Sequence, residues 1–171
     1  MIDIGCGPAT CGIAFSEVFL DETPNLVYTG IDVSSAMKTM GKELLSEHSS
    51  RMNYQMKTSF SELDSDFWNG CSELPSLIMF NISYFFSNVS QKFTEDLACR
   101  IVEVMKKHPL NKYVFIIQHS ENDHRLESFK VFKRILSPYI NIYREERSSF
   151  TYQLNYQAKS MPFYYNIYTS K

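Results

Sequence analysis

Asp3-Ile-Gly-Cys-Gly7, followed by Pro8, sets a carboxylate two residues ahead of the first of two closely spaced glycines. A short apolar run breaks into the glycines and then into helical spacing, which reads as strand, tight turn and helix. Glycine turns the chain with no Cβ in the way, and Pro8 suits a first helical position because its missing N–H would go unpaired there anyway. This geometry brings backbone N–H groups up to a ligand at a helix N-terminus. A second carboxylate, Asp32, closes the next apolar run, 20 residues beyond Gly12. One carboxylate can accept both hydroxyls of a ribose in charge-assisted bonds; it can equally cap a helix starting near Ser34. Further on stands His119, with Glu121, Asp123 and His124 after it. Its imidazole titrates near neutral pH, as a general base must, although a loop histidine without catalytic duty is the plainer reading. Together these residues describe a nucleotide-type pocket with a proton acceptor.

The elements needed to position them follow from periodicity. Cys11, Ala14, Phe15, Val18 and Phe19 recur with helical spacing, and residues 21–25 punctuate that helix. A strand is expected over 26–31, then a helix capped by Ser34 or Ser35 with a face of Met37, Met40, Gly41, Leu44 and Leu45. A weaker strand is expected over 52–57 and a short helix over 61–68. Residues 77–80 read as a strand buried on both faces, followed by a polar and aromatic break over 81–87. Ser90 can cap a helix with a stripe of Phe93, Leu97, Ile101, Val104 and Met105. A buried strand that begins at Asn111 and ends at Gln118-His119-Ser120, and a helix with Leu126, Phe129, Phe132 and Leu136, stopped by Pro138, come next. The period then changes to two: Ile140 and Ile142, then Phe150, Tyr152 and Leu154, and finally the run 163–168, read as an antiparallel pair. Alternating strands and helices predict an α/β fold, a doubly wound and mostly parallel seven-stranded sheet flanked by helices, with a C-terminal antiparallel hairpin. In such sheets the ligand sits beyond the carboxyl ends of the strands, which makes the residues after each strand the candidates.

Asp3-Ile4-Gly5-Cys6-Gly7 resembles the first motif of class I S-adenosylmethionine-dependent methyltransferases, an acid-x-Gly-x-Gly loop. Ala9 stands where a third glycine often follows. A dinucleotide-binding G-x-G-x-x-G would need glycine at Thr10 and gives no reason for the acid. With the closing hairpin, this disfavours a nicotinamide oxidoreductase. The resemblance covers nearly the whole chain and implies S-adenosyl-L-methionine as cofactor. Gly5, Cys6 and Gly7 would then pass under its amino-acid end, and Asp3 would orient that end or fix the loop. Asp32 would hold the ribose, and Val33, Ser34 and Met37 would border the adenine. No acid stands directly after the expected third strand, so adenine recognition would fall to Ser59 and Phe60. Asn81, Ile82 and Ser83 would line the methionine end. Asn81-Ile-Ser-Tyr84 also has the outline of the Asn-Pro-Pro-Tyr motif of amino-group methyltransferases, without its prolines. Tyr84 and His119 are therefore the catalytic candidates. Methyl transfer needs little acid–base help, because aligning an already activated donor with its acceptor supplies much of the rate.

Bulk properties narrow the partners. The 171 residues most simply make one domain, and a net charge of −2 argues against a broad phosphate-binding face. A small molecule or protein side chain is thus a more natural methyl acceptor than nucleic acid, which stays possible but is not favoured. No apolar run approaches the ~18 residues of a membrane span. Cys6, Cys11, Cys71 and Cys99 show no metal-ligand spacing and suit free thiols in a reducing compartment, so no metal and a cytoplasmic location are expected. A central strand already under way at Ile2 raises the expectation of a missing N-terminal helix or segment, in a chain that is a fragment or one domain of a larger assembly. The alternative function is a catalytically inactive methyltransferase-like module for interaction or regulation.

Overall fold

The computed structural model describes residues 1–19, 26–52, 56–63, 67–68, 77–120, 126–154 and 157–171. Glu121, Asp123, His124, Cys71 and residues 64–66 of the helix expected over 61–68 lie outside them. The described strands are β1 (Ile2–Ile4), β2 (Val27–Ile31), β3 (Lys57–Ser61), β4 (Leu77–Ser83), β5 (Lys112–Ser120), β6 (Ile140–Leu154) and β7 (Gln157–Ser170). The helices are α1 (Thr10–Phe19), α2 (Ser35–Met52), α3 (Gln91–Lys107) and α4 (Leu126–Leu136). The strands form one seven-stranded sheet in the order β3-β2-β1-β4-β5-β7-β6. β1 pairs in parallel with β2 and β4, and β2 with β3, whereas β7 runs antiparallel to both β5 and β6. The doubly wound, mostly parallel sheet with its closing hairpin is as the sequence pattern predicts. Among the described residues no helix is long and apolar enough to cross a membrane, and no cluster of three metal-ligating side chains occurs.

The chain packs as two compact units, Met1–Ile82 and Ser83–Lys171, divided within β4. In the first unit Ala9, Tyr28, Leu45 and Met56 form the core, with Ile13 and Phe60 packed on it. Tyr28 is fully buried because α1 comes unusually close. A Cβ on Gly12 would lie 2.5 Å from its ring. The buried residues of α1 are accordingly Gly12 and Ser16, while Val18 is 72% exposed. That corrects the expected stripe, which picked the bulky residues; close approach to an aromatic ring selects the small ones instead. On α2 the buried residues are Gly41 and Leu45, with Met37, Met40 and Leu44 facing solvent.

The second unit has an aromatic core. Phe86 packs on Phe132 at 5.0 Å and Phe129 at 5.6 Å, and Phe115 lies 6.5 Å from Phe132. Ser90 caps α3 as expected, its Oγ accepting the Phe93 N–H at 3.1 Å. Two strands differ from expectation in their bounds. α2 ends at Met52, the first residue of the stretch read as strand, and β3 begins at Lys57, its last. β4 runs on to Ser83, which carries Asn81, Ile82 and Ser83 from the expected break into the strand, while β5 ends at Ser120 with His119 at its end, as expected.

Candidate functional site

The turn after β1 is built from left-handed backbone. Gly5 has φ 72°, Gly7 50° and Ala9 61°. Only glycine enters that region freely, since an L-residue pays roughly 1–2 kcal/mol through its Cβ. Ala9 therefore occupies the third left-handed position with strain, and α1 starts after it at Thr10 rather than at Pro8. The Gly5 and Cys6 N–H groups both donate to the Ile31 carbonyl, at 2.8 and 3.0 Å, which ties the turn to the end of β2. Nothing lies within 4 Å of the place where a Cβ on Gly7 would stand, so the turn opens onto free space there.

Asp32 locks the same region. Its Oδ2 accepts the Gly7 N–H at 3.0 Å and its Oδ1 the Ser34 N–H at 2.8 Å. Ser34 in turn caps α2, its Oγ accepting the Met37 N–H at 3.3 Å. Each carboxylate oxygen has two lone pairs, so one bond to the loop leaves each able to accept another hydrogen bond, such as a ribose hydroxyl. Capping and ribose binding are thus compatible. Val33, directly beside it, is 94% exposed, and Met37 stands half in solvent. Apolar groups held in water next to a carboxylate suit the edge of a flat heterocycle. The turn, its open space and this carboxylate fit S-adenosylmethionine as the resemblance implies.

Asp3 is placed otherwise. It is 2% exposed, its Oδ2 accepting from the Tyr28 hydroxyl at 2.8 Å and its Oδ1 from Asn81 Nδ2 at 2.6 Å. Burial raises its pKa above the usual carboxylate range, against the pull of those two hydrogen bonds. Burial and the Asp3 charge likewise push the Tyr28 hydroxyl well up. Asp3 therefore fastens β1 to β2 and β4 from within the core, and Asn81, expected at the methionine end, spends its amide on that fastening. Ile82 is buried beside it. The Cys6 thiol is pushed up to about 12 by burial first and by the charges of Asp3 and Asp32 next. It contributes backbone and bulk to the turn, not a nucleophile.

Ser59 and Phe60 lie within β3. The Ser59 hydroxyl is 3.0 Å from that of Thr29. The Phe60 ring fills the space over Gly30 and Gly41, where added Cβ atoms would come within 2.7 and 2.8 Å of it. The acid that does follow β3 is Glu62, held by Lys38 of α2 at 3.0 Å. Sequence reasoning missed it because it ended the strand too early; the alternation of Thr58 with Phe60 was the available signal.

Ser83, Tyr84 and His119 belong to the second unit. Tyr84 has φ 55°, a left-handed conformation that a bulky residue adopts only under constraint. Its N–H donates to the Gln118 carbonyl at 2.7 Å, and its own carbonyl accepts from Ser87 Oγ at 2.9 Å and Asn88 Nδ2 at 3.2 Å. Its ring stays 36% exposed. Strain of this kind persists where surrounding structure over-determines it, and it concentrates at functional sites. His119, by contrast, lies in the packed face of β5. Its ring stacks on Tyr164 at 5.4 Å, lies 4.8 Å from Phe129, and has Nε2 3.3 Å from Asn166 Nδ2. Only 8% of the residue is exposed.

No protein-family model and no curated protein matches the chain. Solved structures do. A precorrin-6y C5,15-methyltransferase from Geobacter metallireducens superposes with TM-score 0.58 at 16% identity, over 100% of this chain and 78% of its own. A SAM-dependent methyltransferase from Methanosarcina mazei gives 0.60 at 12% identity, over 98% and 90%. LepI, solved in complex with SAM, gives 0.56 at 7% identity, over 99% of this chain and 42% of LepI. At such identities the likeness is one of architecture, and it agrees with the strand order and the glycine turn: the chain has the class I S-adenosylmethionine-dependent methyltransferase fold.

Proposed function

We propose that this chain binds S-adenosylmethionine on the glycine turn of its first unit and catalyses transfer of the methyl group to an acceptor. The observation that carries the reading is the turn itself, with left-handed Gly5 and Gly7, open space over Gly7, and Asp32 holding the loop with lone pairs to spare. Methyltransferases and a SAM complex among the structural neighbours support it. Asp32 holds the ribose, Val33 and Met37 flank the adenine, and Glu62, freed from Lys38, is the acid nearest its amino group. The cofactor supplies an activated methyl: the acceptor's lone pair forms the new bond to carbon, the sulfur keeps the pair from the broken S–C bond, and the acceptor's proton leaves to solvent. His119 is held in an aromatic stack with Phe129 and Tyr164 within the second unit, and the step itself needs no strong base. An acceptor that is a small molecule or protein side chain suits the net charge of −2 better than nucleic acid does.

The test separates ligand contact from loop stability. S-adenosylhomocysteine is expected to stabilise the protein by about 2.7 kcal/mol at a concentration roughly 100 times its Kd. Asp32→Ala would remove loop hydrogen bonds as well as ligand contacts, so Val33 is the sharper probe. Val33→Asp is expected to leave the unliganded melting temperature nearly unchanged, as exposed substitutions do, yet to cut the shift given by the ligand. No shift in the folded protein at millimolar S-adenosylhomocysteine would refute cofactor binding. Binding without transfer of labelled methyl to any cell-extract fraction would instead leave the inactive module.

A further inference from the structure

The end of α3, the turn into β5, the turn after α4 and the last residues of the chain meet around a pocket of about 370 Å³, within the roughly 300–1,000 Å³ typical of small-molecule sites. Every residue that lines it belongs to the second unit. Its apolar walls are Met105, Pro109, Pro138 and Tyr139. The backbone around it is pinned. The Tyr139 N–H donates to the Leu136 carbonyl at 2.8 Å, and the Tyr139 carbonyl accepts the Lys171 N–H at 3.0 Å. The Asn111 N–H donates to the His108 carbonyl at 3.1 Å, and Ser170 Oγ accepts the Tyr113 N–H at 3.1 Å. The charge is one-sided. No lining side chain is acidic, and residues 104–120, 128–144 and 147–171, which supply the whole lining, contain no aspartate or glutamate. Two ammonium groups line it, from Lys106 and Lys171. Lys171 brings the terminal carboxylate with it, and its Nζ already donates to the Ser137 carbonyl at 3.3 Å. Lys106 is exposed, holds its Nζ 5.3 Å from the centre of the Tyr139 ring, and pairs with no carboxylate among the described residues. A lysine near the end of a helix ordinarily answers the helix dipole. Here Lys107 stands in the same last turn outside the lining, and the Tyr113 hydroxyl covers the His108 carbonyl at 3.1 Å. The Asn111 side-chain amide makes no hydrogen bond among the described residues. A cation and an amide are thus left unspent beside an aromatic ring.

We propose that this pocket binds a small aromatic anion. The flat ring packs on Tyr139 and the two prolines, and the anionic oxygens take the Lys106 ammonium and the Asn111 side-chain amide. Charge-assisted hydrogen bonds are about twice as strong as neutral ones, and Lys106 gives up only an exposed cation–π contact when it moves off the ring. Offset or edge-to-face packing favours a flat partner, and walls that are already pinned bind without an ordering cost. The site uses no residue of the first unit, so it stands apart from the methyl-transfer reading.

The probe is 2-naphthoate, titrated into the full chain and followed by saturation-transfer NMR. Two compounds are compared with it: 2-naphthamide, which keeps the ring and loses the charge, and cyclohexanecarboxylate, which keeps the charge and loses the ring. The naphthoate is expected to bind about fivefold or more tighter than either, the worth of one charge-assisted bond or one aromatic pair. Lys106→Gln should cost it about tenfold and leave 2-naphthamide unchanged, while Lys106→Arg should retain most of its affinity. Lys112→Gln removes an exposed cation outside the lining and should change neither. Binding of 2-naphthyl phosphate in parallel also supports the site, and the tighter of the two anions names the group preferred. Equal binding of the amide, equal binding of cyclohexanecarboxylate, full retention in Lys106→Gln, or an equal loss in Lys112→Gln would overturn the proposal. Displacement of the naphthoate by saturating S-adenosylhomocysteine would overturn it too, by placing the ring in the cofactor's site. Naphthoate binding without any S-adenosylhomocysteine effect on stability would uphold this pocket and refute the cofactor reading alone.

Discussion

At position 9 a methyl group sits in left-handed backbone, φ 61°, and in full burial. The two facts oppose each other. Ala9→Gly would relieve about 1–2 kcal/mol of left-handed strain. It would lose about 0.8 kcal/mol of buried methyl and add up to about 1 kcal/mol of unfolded-state entropy. Near-neutral stability is therefore expected in urea melts, within about 1 kcal/mol. Ala9→Val is expected to cost at least about 2 kcal/mol, because β-branching is least tolerated at positive φ and Gly41 stands close by. A stabilised valine variant would mean that the turn is not left-handed there. Asp3 offers a second measurement at this scale. Its folded pKa is raised, so the folded state holds its proton more tightly than the unfolded chain does. Stability contributed this way is complete below the unfolded carboxylate pKa and is lost as pH rises through the folded value. Asp3→Asn should remove that decline. Parallel profiles for the two proteins from pH 4 upward would show that Asp3 is not held in the core.

At the scale of elements, the approach of α1 to β2 decides how tightly the turn is held. Gly12→Ala should gain about 0.5–1 kcal/mol of helix propensity. It also drives a Cβ to 2.5 Å from the Tyr28 ring, whose hydroxyl is bonded to the buried Asp3. Overpacking of this kind typically costs 1–3 kcal/mol, so a net loss is expected in thermal or urea unfolding. A gain would show that Tyr28 moves freely. The same contact explains what the sequence made legible. Element order, the capping serines and the terminal hairpin are written in periodicity and turn chemistry, which are local. The glycine turn and Asp32 were found for the same reason. The buried side of α1 was not, because the rule that large apolar residues face inward fails where a ring leaves room only for Gly12 and Ser16. The end of β4 was misjudged, because a polar residue, Asn81, continues the strand where a partner elsewhere in the chain, Asp3, satisfies it. Glu62 was lost with the end of β3.

For the whole molecule the question is which acceptor class its charges permit. The 17 lysines and arginines are outnumbered by 19 aspartates and glutamates. Many described cations are also engaged by neighbouring carboxylates: Lys38 with Glu62, Arg51 with Glu47, Arg100 with Glu103, Lys130 with Glu127, Lys133 with Glu145 and Arg144 with Glu146. Exposed pairs of this kind add little stability. Their consequence is a surface of mixed sign among the described residues. A protein gripping nucleic acid through some 6–10 phosphates loses roughly 10³–10⁵ in affinity between 50 and 200 mM salt, because each contact releases counterions. An acceptor without phosphates releases none. Methyl transfer to the true acceptor should therefore change less than about threefold over that salt range. The measurement is the initial rate with labelled cofactor, on fractionated small molecules and on total RNA in parallel. A rate confined to RNA and collapsing with salt would show that the phosphates are bound after all, by groups that the net charge conceals.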